Sequence, residues 1–149
     1  MKVSRADFKK SDLLRLLRQH LEFSNQDACT HALGISELQR ANIQMFVARN
    51  AAGDLMGCAA LKILNTEQGE IKSVRTHDDH LRKGVSRFLM AHIEQAAREA
   101  GLNRLYLETH NTPQYAAACR LYEKLDFEYC GPFGEYDQNP RNVFMTKPL

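Results

Sequence analysis

The stretch that decides the fold is residues 70–101, which read EIKSVRTHDDHLRKGVSRFLMAHIEQAAREAG. The opening EIKSVRT predicts a strand over 70–76. From Val85 onward, apolar residues recur at the spacing of one helical face, and Gly101 stands where a helix C-terminal cap belongs. Residues 104–109 (RLYLET) read as the next strand. Because a helix joins the two strands, they should lie parallel in one sheet.

The connection LRKGVS, residues 81–86, carries the most chemical information in the chain. A helix N-terminus exposes unpaired backbone amides and a partial positive charge, which together favour an anion such as a diphosphate. Gly84 permits close approach of a ligand to the backbone, and Arg82, Lys83 and Arg87 add positive charge nearby. A turn glycine with solvated basic neighbours explains this segment alone equally well. The chain has no GxxxxGK[ST] and no GxGxxG, so neither a P-loop nor a Rossmann turn is supported.

The remaining pattern predicts a mixed α/β sheet built from short strands and helices. The predicted elements are a strand at 2–6, a helix at 12–23 with Ser11 as N-cap, a short helix opened by a Ser36–Gln39 capping box, strands at 43–48, 55–64 and 70–76, a helix beginning at Val85, a strand at 104–109, a helix from Thr112 to Leu125, and strands at 127–130 and 143–147.

Composition indicates a single domain spanning residues 1–149, with 44% hydrophobic and 26% charged residues. The net charge of +2 argues against a nucleic-acid binder or an anionic-membrane binder, both of which usually carry a basic excess. No apolar run is long enough to span a bilayer and no signal-peptide core is visible, so we predict a cytoplasmic protein. The widely spaced cysteines are predicted to be reduced, buried thiols; they are Cys29, Cys58, Cys119 and Cys130.

Residues 70–127 resemble the core of the GCN5-related N-acetyltransferases, the GNAT superfamily. Three segments carry the resemblance: EIKSVRT, LRKGVSRFL and LETHNTPQYAAACRLYEKLDF. LRKGVS is similar to the Q/R-x-x-G-x-G/A loop of the family, and RLYEKLDF to its A-x-x-L-Y-E-K-x-G-F signature. The resemblance implies an α/β fold of the GNAT-like acyl-CoA N-acyltransferase type, with a central twisted mixed sheet of about seven strands flanked by about four helices.

Four positions depart from the family pattern. Leu81 stands where Gln or Arg is usual, and Ser86 replaces a small Gly or Ala. Tyr115 occupies a position where many members have an Asn that contacts the cofactor. Asp126 replaces the Gly of the L-G-F sequence, although Asp adopts the left-handed conformation less readily than Gly.

The resemblance implies direct transfer of the acetyl group of acetyl-CoA to a primary amine of a small-molecule or peptide acceptor, without a metal. The acceptor is not identified by the sequence, and a homodimer stays open because family members often dimerise. The implied acetyl-CoA-binding residues are Val74, Thr76, Leu81, Arg82, Lys83, Gly84, Val85, Ser86, Arg87 and Tyr115.

Two side chains are implied for catalysis. Tyr122 is the implied acid for the leaving thiolate, since a phenol is protonated at neutral pH. Glu70 is the first candidate for the base and would act through a water molecule. Strand alternation would place its side chain on one face of the strand with those of Lys72, Val74 and Thr76. The competing interpretations are a buried core Tyr and a glutamate that simply pairs with Lys72 or solvent. Two other candidates for the base are Glu108 and His110.

Two other function classes stay open at this point. His77, Asp78, Asp79 and His80 would suit a metal-dependent hydrolase, but a solvated polar loop explains them better because they lack helical ligand spacing. A non-catalytic acyl-CoA-binding regulatory module would share the cofactor residues. The polar 131–142 loop, which holds Glu135, Tyr136, Asp137 and Arg141, is predicted to border the acceptor pocket.

Overall fold

A computed structural model describes residues 1–24 and 32–149. They form one mixed sheet in the order β1-β2-β3-β4-β5-β7-β6. The strands are β1 (Lys2–Arg5), β2 (Ile43–Arg49), β3 (Leu55–Ile63), β4 (Gln68–Thr76), β5 (Arg104–His110), β6 (Glu128–Cys130) and β7 (Asn142–Pro148). The α-helices are α1 (Ser11–Ser24), α2 (Val85–Glu99) and α3 (Ala116–Lys124), and short 3-10 helices cover Glu37–Gln39, Asp78–His80 and Pro113–Tyr115.

The predicted element order is confirmed, including the parallel pairing of β4 with β5. The other strand pairs of this sheet are antiparallel. The sheet has the expected seven strands, whereas the described ranges contain three α-helices instead of about four.

The predicted capping box at Ser36 and Gln39 is wrong. Ser36 itself has helical backbone angles and makes no side-chain capping bond, whereas an N-cap residue needs an extended conformation. The side chain of Gln39 donates instead to the carbonyl of Ile35, at 3.3 Å.

Helices cover both faces of the sheet and create two apolar cores. The apolar stripe of α1, centred on Leu13, Leu16 and Leu17, packs against the inward residues of β2 and β3. A larger cluster joins α2 and the Tyr122 face of α3 to the opposite face of the sheet. The sheet is therefore buried on both sides at β3, which is why this strand is apolar at nearly every position.

Two of the cysteines are less buried than predicted. Cys58 lies fully in the core, whereas Cys119 of α3 and Cys130 of β6 are half-buried. All three are free thiols, and Cys29 lies outside the described residues. No helix among residues 1–24 and 32–149 is long and apolar enough to cross a membrane.

Both β4 and α2 pack closely against Gly57 of β3. A Cβ atom at this position would stand 2.7 Å from the carbonyl oxygen of Arg75 and 2.9 Å from a methyl group of Val85. We expect Gly57→Ala to lower the free energy of unfolding by about 1–3 kcal/mol, because a backbone carbonyl cannot rotate away. Chemical denaturation measures this. Gly131→Ala is the control, since nothing lies within 4 Å of its added methyl; equal loss in both variants would contradict the explanation.

Candidate functional site

The sheet opens between β4 and β5. The two strands pair from Gln68↔Arg104 to Ile71↔Leu107, yet β4 continues to Thr76 and β5 to His110. A cavity of about 110 Å³ lies in the resulting gap and is lined from both strands, α1 and α3. The second half of β4 therefore presents a backbone edge that β5 does not occupy.

A β-bulge at Ser73 changes which way the second half of β4 faces. The register against β3 passes from Ala60↔Lys72 to Cys58↔Arg75, and Ser73 has a φ of 55°. One residue is thus added to β4 relative to its partner, which reverses the alternation of side chains beyond it.

The predicted alignment of Glu70, Lys72, Val74 and Thr76 on one face is wrong because of this bulge. Val74 packs with the α2 cluster, and the Thr76 hydroxyl lies 2.7 Å from that of Ser86 on α2. Glu70 and Lys72 stay on the opposite face, on the side of α1.

The N-terminus of α2 is exposed and carries the predicted glycine. Gly84 is the N-cap with a φ of 76°, in the left-handed region, and it offers no side chain to cap the helix. The first helical hydrogen bond runs from the amide of Phe88 to the carbonyl of Gly84. The amides of Val85, Ser86 and Arg87 precede this bond, so they point out of the helix end together with its partial positive charge.

The side chains around Gly84 divide into two groups. Those of Arg82, Lys83 and Arg87 are exposed, and the Nζ of Lys83 lies 3.3 Å from the Nδ1 of His80. Leu81 is also exposed. The buried side chain of Val85 and the hydroxyl of Ser86, which is bonded to Thr76, instead anchor the first turn of α2 to the sheet.

Tyr122 reaches the cavity from α3. Its side chain is buried and packs edge-on against Phe127, at 6.0 Å between ring centroids. Burial raises the pKa of the Tyr122 hydroxyl well above its ordinary value, and the nearby Cys119 raises it further. The phenol is therefore protonated at neutral pH and can act as a hydrogen-bond donor toward the cavity.

Glu70 is buried at the wall of the same cavity. Its Oε2 lies 3.1 Å from the Nζ of Lys72 and 2.6 Å from the hydroxyl of Tyr136. The pairing with Lys72 that the sequence offered as an alternative is therefore present. Tyr136 shows that the loop between β6 and β7 borders this site.

The other candidate bases lie on β5. Glu108 accepts a hydrogen bond of 2.7 Å from the side chain of Asn142, and His110 is buried with its ring 4.6 Å from that of Tyr115. The Tyr115 ring also packs 5.5 Å from Phe23 of α1. All these residues except Asn142 and Phe23 line the cavity, so the structure brings together every candidate acid and base.

His20 of α1 also lines the cavity, and sequence reasoning missed it. A signal was present, because His20 follows Leu13 and Leu17 at helical spacing and so interrupts the apolar stripe of α1. Burial, assisted by the positive charge of Arg75, lowers the pKa of His20 to about 4. The imidazole is neutral at physiological pH and contributes a polar group without a charge.

The His77–His80 loop does not form a metal site in the described ranges. No group of three or more His, Cys, Asp or Glu side chains suited to a metal occurs there. The Nδ1 of His77 instead accepts a hydrogen bond of 3.1 Å from the amide of Asp79.

Comparison with known proteins identifies the family. A family model for the acetyltransferase (GNAT) family matches residues 11–127. The chain belongs to this family. It is 39% identical over 152 residues to YsnE, an uncharacterized N-acetyltransferase of Bacillus subtilis strain 168, with 100% of both chains covered. The predicted family and the assignment as an acyl-CoA-dependent N-acetyltransferase are confirmed.

Solved structures share the fold of this GNAT protein. An aminoglycoside 6'-N-acetyltransferase complexed with coenzyme A matches with a TM-score of 0.75 at 15% identity, over 99% of this chain and 97% of the other. A GNAT family acetyltransferase from Elizabethkingia anophelis with acetyl-CoA bound matches with a TM-score of 0.73 at 15% identity, over the same shares. The predicted fold class is confirmed.

His20 gives the stability of this protein a specific pH dependence. Because the folded chain depresses the pKa from 6.5 to about 4, the unfolded chain binds the proton more readily between these values. We expect the free energy of unfolding to fall by about 3 kcal/mol as the pH drops through this window. Denaturation of the wild-type protein and of His20→Gln at several pH values isolates the contribution of His20. The same slope of unfolding free energy against pH in both proteins would contradict it.

Proposed function

We propose that this protein transfers the acetyl group of acetyl-CoA directly to a primary amine of a small-molecule or peptide acceptor. The observation that carries the proposal is the cavity at the divergence of β4 and β5. It lies between an unpaired strand edge and the protonated Tyr122 hydroxyl, and β4 leads from it toward the exposed N-terminus of α2.

The diphosphate of acetyl-CoA would bind at the first turn of α2. Its negative charge suits the outward amides of Val85, Ser86 and Arg87 and the positive helix end. The exposed side chains of Arg82 and Lys83 add charge-assisted contacts. Gly84 supports this assignment, because a Cβ at its position would face open space where a ligand can approach.

The pantetheine arm would then lie along β4 as an added strand, held by backbone groups of Val74 and Thr76. The pairing of β4 with β5 ends at Ile71, so β5 does not occupy the edge of β4 at Val74. Leu81 and Tyr115 complete the proposed contact surface.

The chemistry follows from this placement. The neutral amine attacks the thioester carbonyl, whose oxygen becomes an oxyanion that the amide of Val74 can stabilise. Collapse of this intermediate breaks the carbon–sulfur bond, and the leaving thiolate takes the proton of the Tyr122 hydroxyl. The nitrogen releases its proton through water to Glu70, and the products are an N-acetyl amide and CoA thiol. Glu70 then loses a proton to solvent and the Tyr122 phenolate regains one from it, which restores both groups.

Two glycines provide a matched test of cofactor binding. Gly84 and Gly53 both have positive φ, and at both a Cβ atom would meet nothing within 4 Å, but only Gly84 lies at α2. We expect Gly84→Val to weaken acetyl-CoA binding at least about tenfold, or about 1.4 kcal/mol, and Gly53→Val to leave it unchanged. Calorimetric titration measures both, and a loss shared equally by the two variants would remove the diphosphate from α2.

A screen of amines with acetyl-CoA, followed by thiol release, tests the reaction itself. Turnover with at least one primary amine supports the proposal. Tight binding of acetyl-CoA without transfer to any amine in a broad panel would favour a regulatory acyl-CoA-binding module instead.

Tyr122→Phe tests the proposed acid. The variant keeps the buried ring but removes the proton donor, so we expect kcat to fall about 100-fold while acetyl-CoA affinity changes less than about twofold. Tyr129→Phe is the control, because this exposed tyrosine of β6 does not line the cavity and its hydroxyl donates to Glu123 instead. Equal losses of turnover and of affinity in Tyr122→Phe would exclude the acid role.

A further inference from the structure

Three side chains close a hydrogen-bonded ring at the start of β4. The Nζ of Lys72 donates to the Oε2 of Glu70 at 3.1 Å and to the hydroxyl of Tyr136 at 2.7 Å. The Tyr136 hydroxyl in turn donates to the same Oε2 at 2.6 Å. Each member thus contacts both of the others, and two different segments of the chain contribute to the ring.

The ion pair within the ring is buried, which gives Lys72 an electrostatic role. The side chains of Glu70 and Lys72 are only 2% and 7% exposed. A buried carboxylate without a counter-ion is strongly disfavoured, and removal of one partner from such a pair leaves the other charge uncompensated. The ammonium of Lys72 therefore supplies the counter-ion of the Glu70 carboxylate, and the Tyr136 hydroxyl adds a second donor to the same carboxylate oxygen.

Glu70 stands between two openings of the protein. One is the cavity that Tyr122 lines; the other is a groove of about 960 Å³ beneath the loop between β6 and β7. Among the described residues, Glu70 alone lines both, and Tyr136 covers it on the groove side. The ring thus holds a carboxylate at the point where the two spaces meet.

We propose that Lys72 and Tyr136 are positioning residues that hold the Glu70 carboxylate oriented at this junction. The inference rests on the proposed function, in which Glu70 receives the proton of the amine. Lys72 acts through charge and Tyr136 through its hydrogen bond. Their effects should therefore appear in the contacts and orientation of the Glu70 carboxylate, beyond any effect on folding.

Other titratable groups face this carboxylate from the neighbouring elements. Lys62 of β3 and Tyr106 of β5 stand opposite Glu70 in the sheet, and Glu108 and His20 line the cavity with it. Glu135 lines the groove. These groups are unchanged in the Lys72 and Tyr136 variants. Differences between the spectra of these variants therefore report on the ring.

Infrared difference spectroscopy at neutral pH tests the proposal without an acceptor. The carboxylate stretching bands that Glu70→Gln abolishes are assigned to Glu70. Because these bands respond to the contacts of the carboxylate oxygens, we expect them to shift in Lys72→Met, to shift less in Tyr136→Phe, and to return toward their original position in Lys72→Arg. Acetyl-CoA affinity, measured by calorimetry, should stay within about twofold in all of them.

A double variant separates positioning from a structural role. If Lys72 acts through Glu70, Glu70→Gln/Lys72→Met should show the pH–rate profile of Glu70→Gln alone with an amine from the thiol-release screen. Unmoved carboxylate bands in Lys72→Met and Tyr136→Phe, or additive effects in the double variant, would overturn the proposal. If Lys72→Met does not fold, Tyr136→Phe and Lys72→Arg carry the same infrared test. Acetyl transfer itself could persist in each case, so the proposed function is judged separately.

Discussion

Backbone pairing between β4 and β5 stops at Ile71 and Leu107, although both strands continue. The cavity of the candidate site depends on this divergence. It leaves the edge of β4 unpaired and makes space for a cavity that side chains from α1 and α3 can enter. A parallel pair that remained in register to its ends would have filled this space with its own hydrogen bonds and left no room for a ligand arm.

The bulge at Ser73 changes which side chains of β4 face each side of the sheet. Adding one residue to β4 turns Val74 and Thr76 toward α2 while Glu70 and Lys72 keep facing α1. The even-numbered side chains of β4 therefore face α1 in its first half and α2 in its second half. The backbone strain of a positive φ at a residue other than glycine is held in place by the surrounding core, as is common where a strand shapes a site.

Charge in the site is arranged in two separate places. The N-terminus of α2 collects exposed positive charge, where an anionic ligand loses little solvation on binding. At the other end of β4, one buried cation neutralises one buried anion. A charge buried in this way depends on its partner, because the low polarity of the interior penalises an unpaired ion. We therefore expect substitutions at the N-terminus of α2 to affect anion binding, and substitutions in the Glu70–Lys72 pair to affect the buried carboxylate.

The sequence by itself determined the order of the elements, the parallel unit around α2, the family, and the residues of the α2 N-terminus. These are local properties, because hydrophobic spacing, a glycine with positive φ and a cap each act over a few residues. It also indicated Tyr122 and Glu70 through the resemblance, and Lys72 as a partner of Glu70.

Only the tertiary structure decided which way each half of β4 faces, that His20 of α1 enters the cavity, and that Tyr136 closes a ring with Glu70 and Lys72. Strand alternation predicts facing only while the register is unbroken, and the shift at Ser73 arises from pairing with β3 and packing on α2. Glu70 and Tyr136 are far apart in the chain. Their contact exists because the loop between β6 and β7 folds back over the sheet, and no local pattern of residues specifies where such a loop comes to lie.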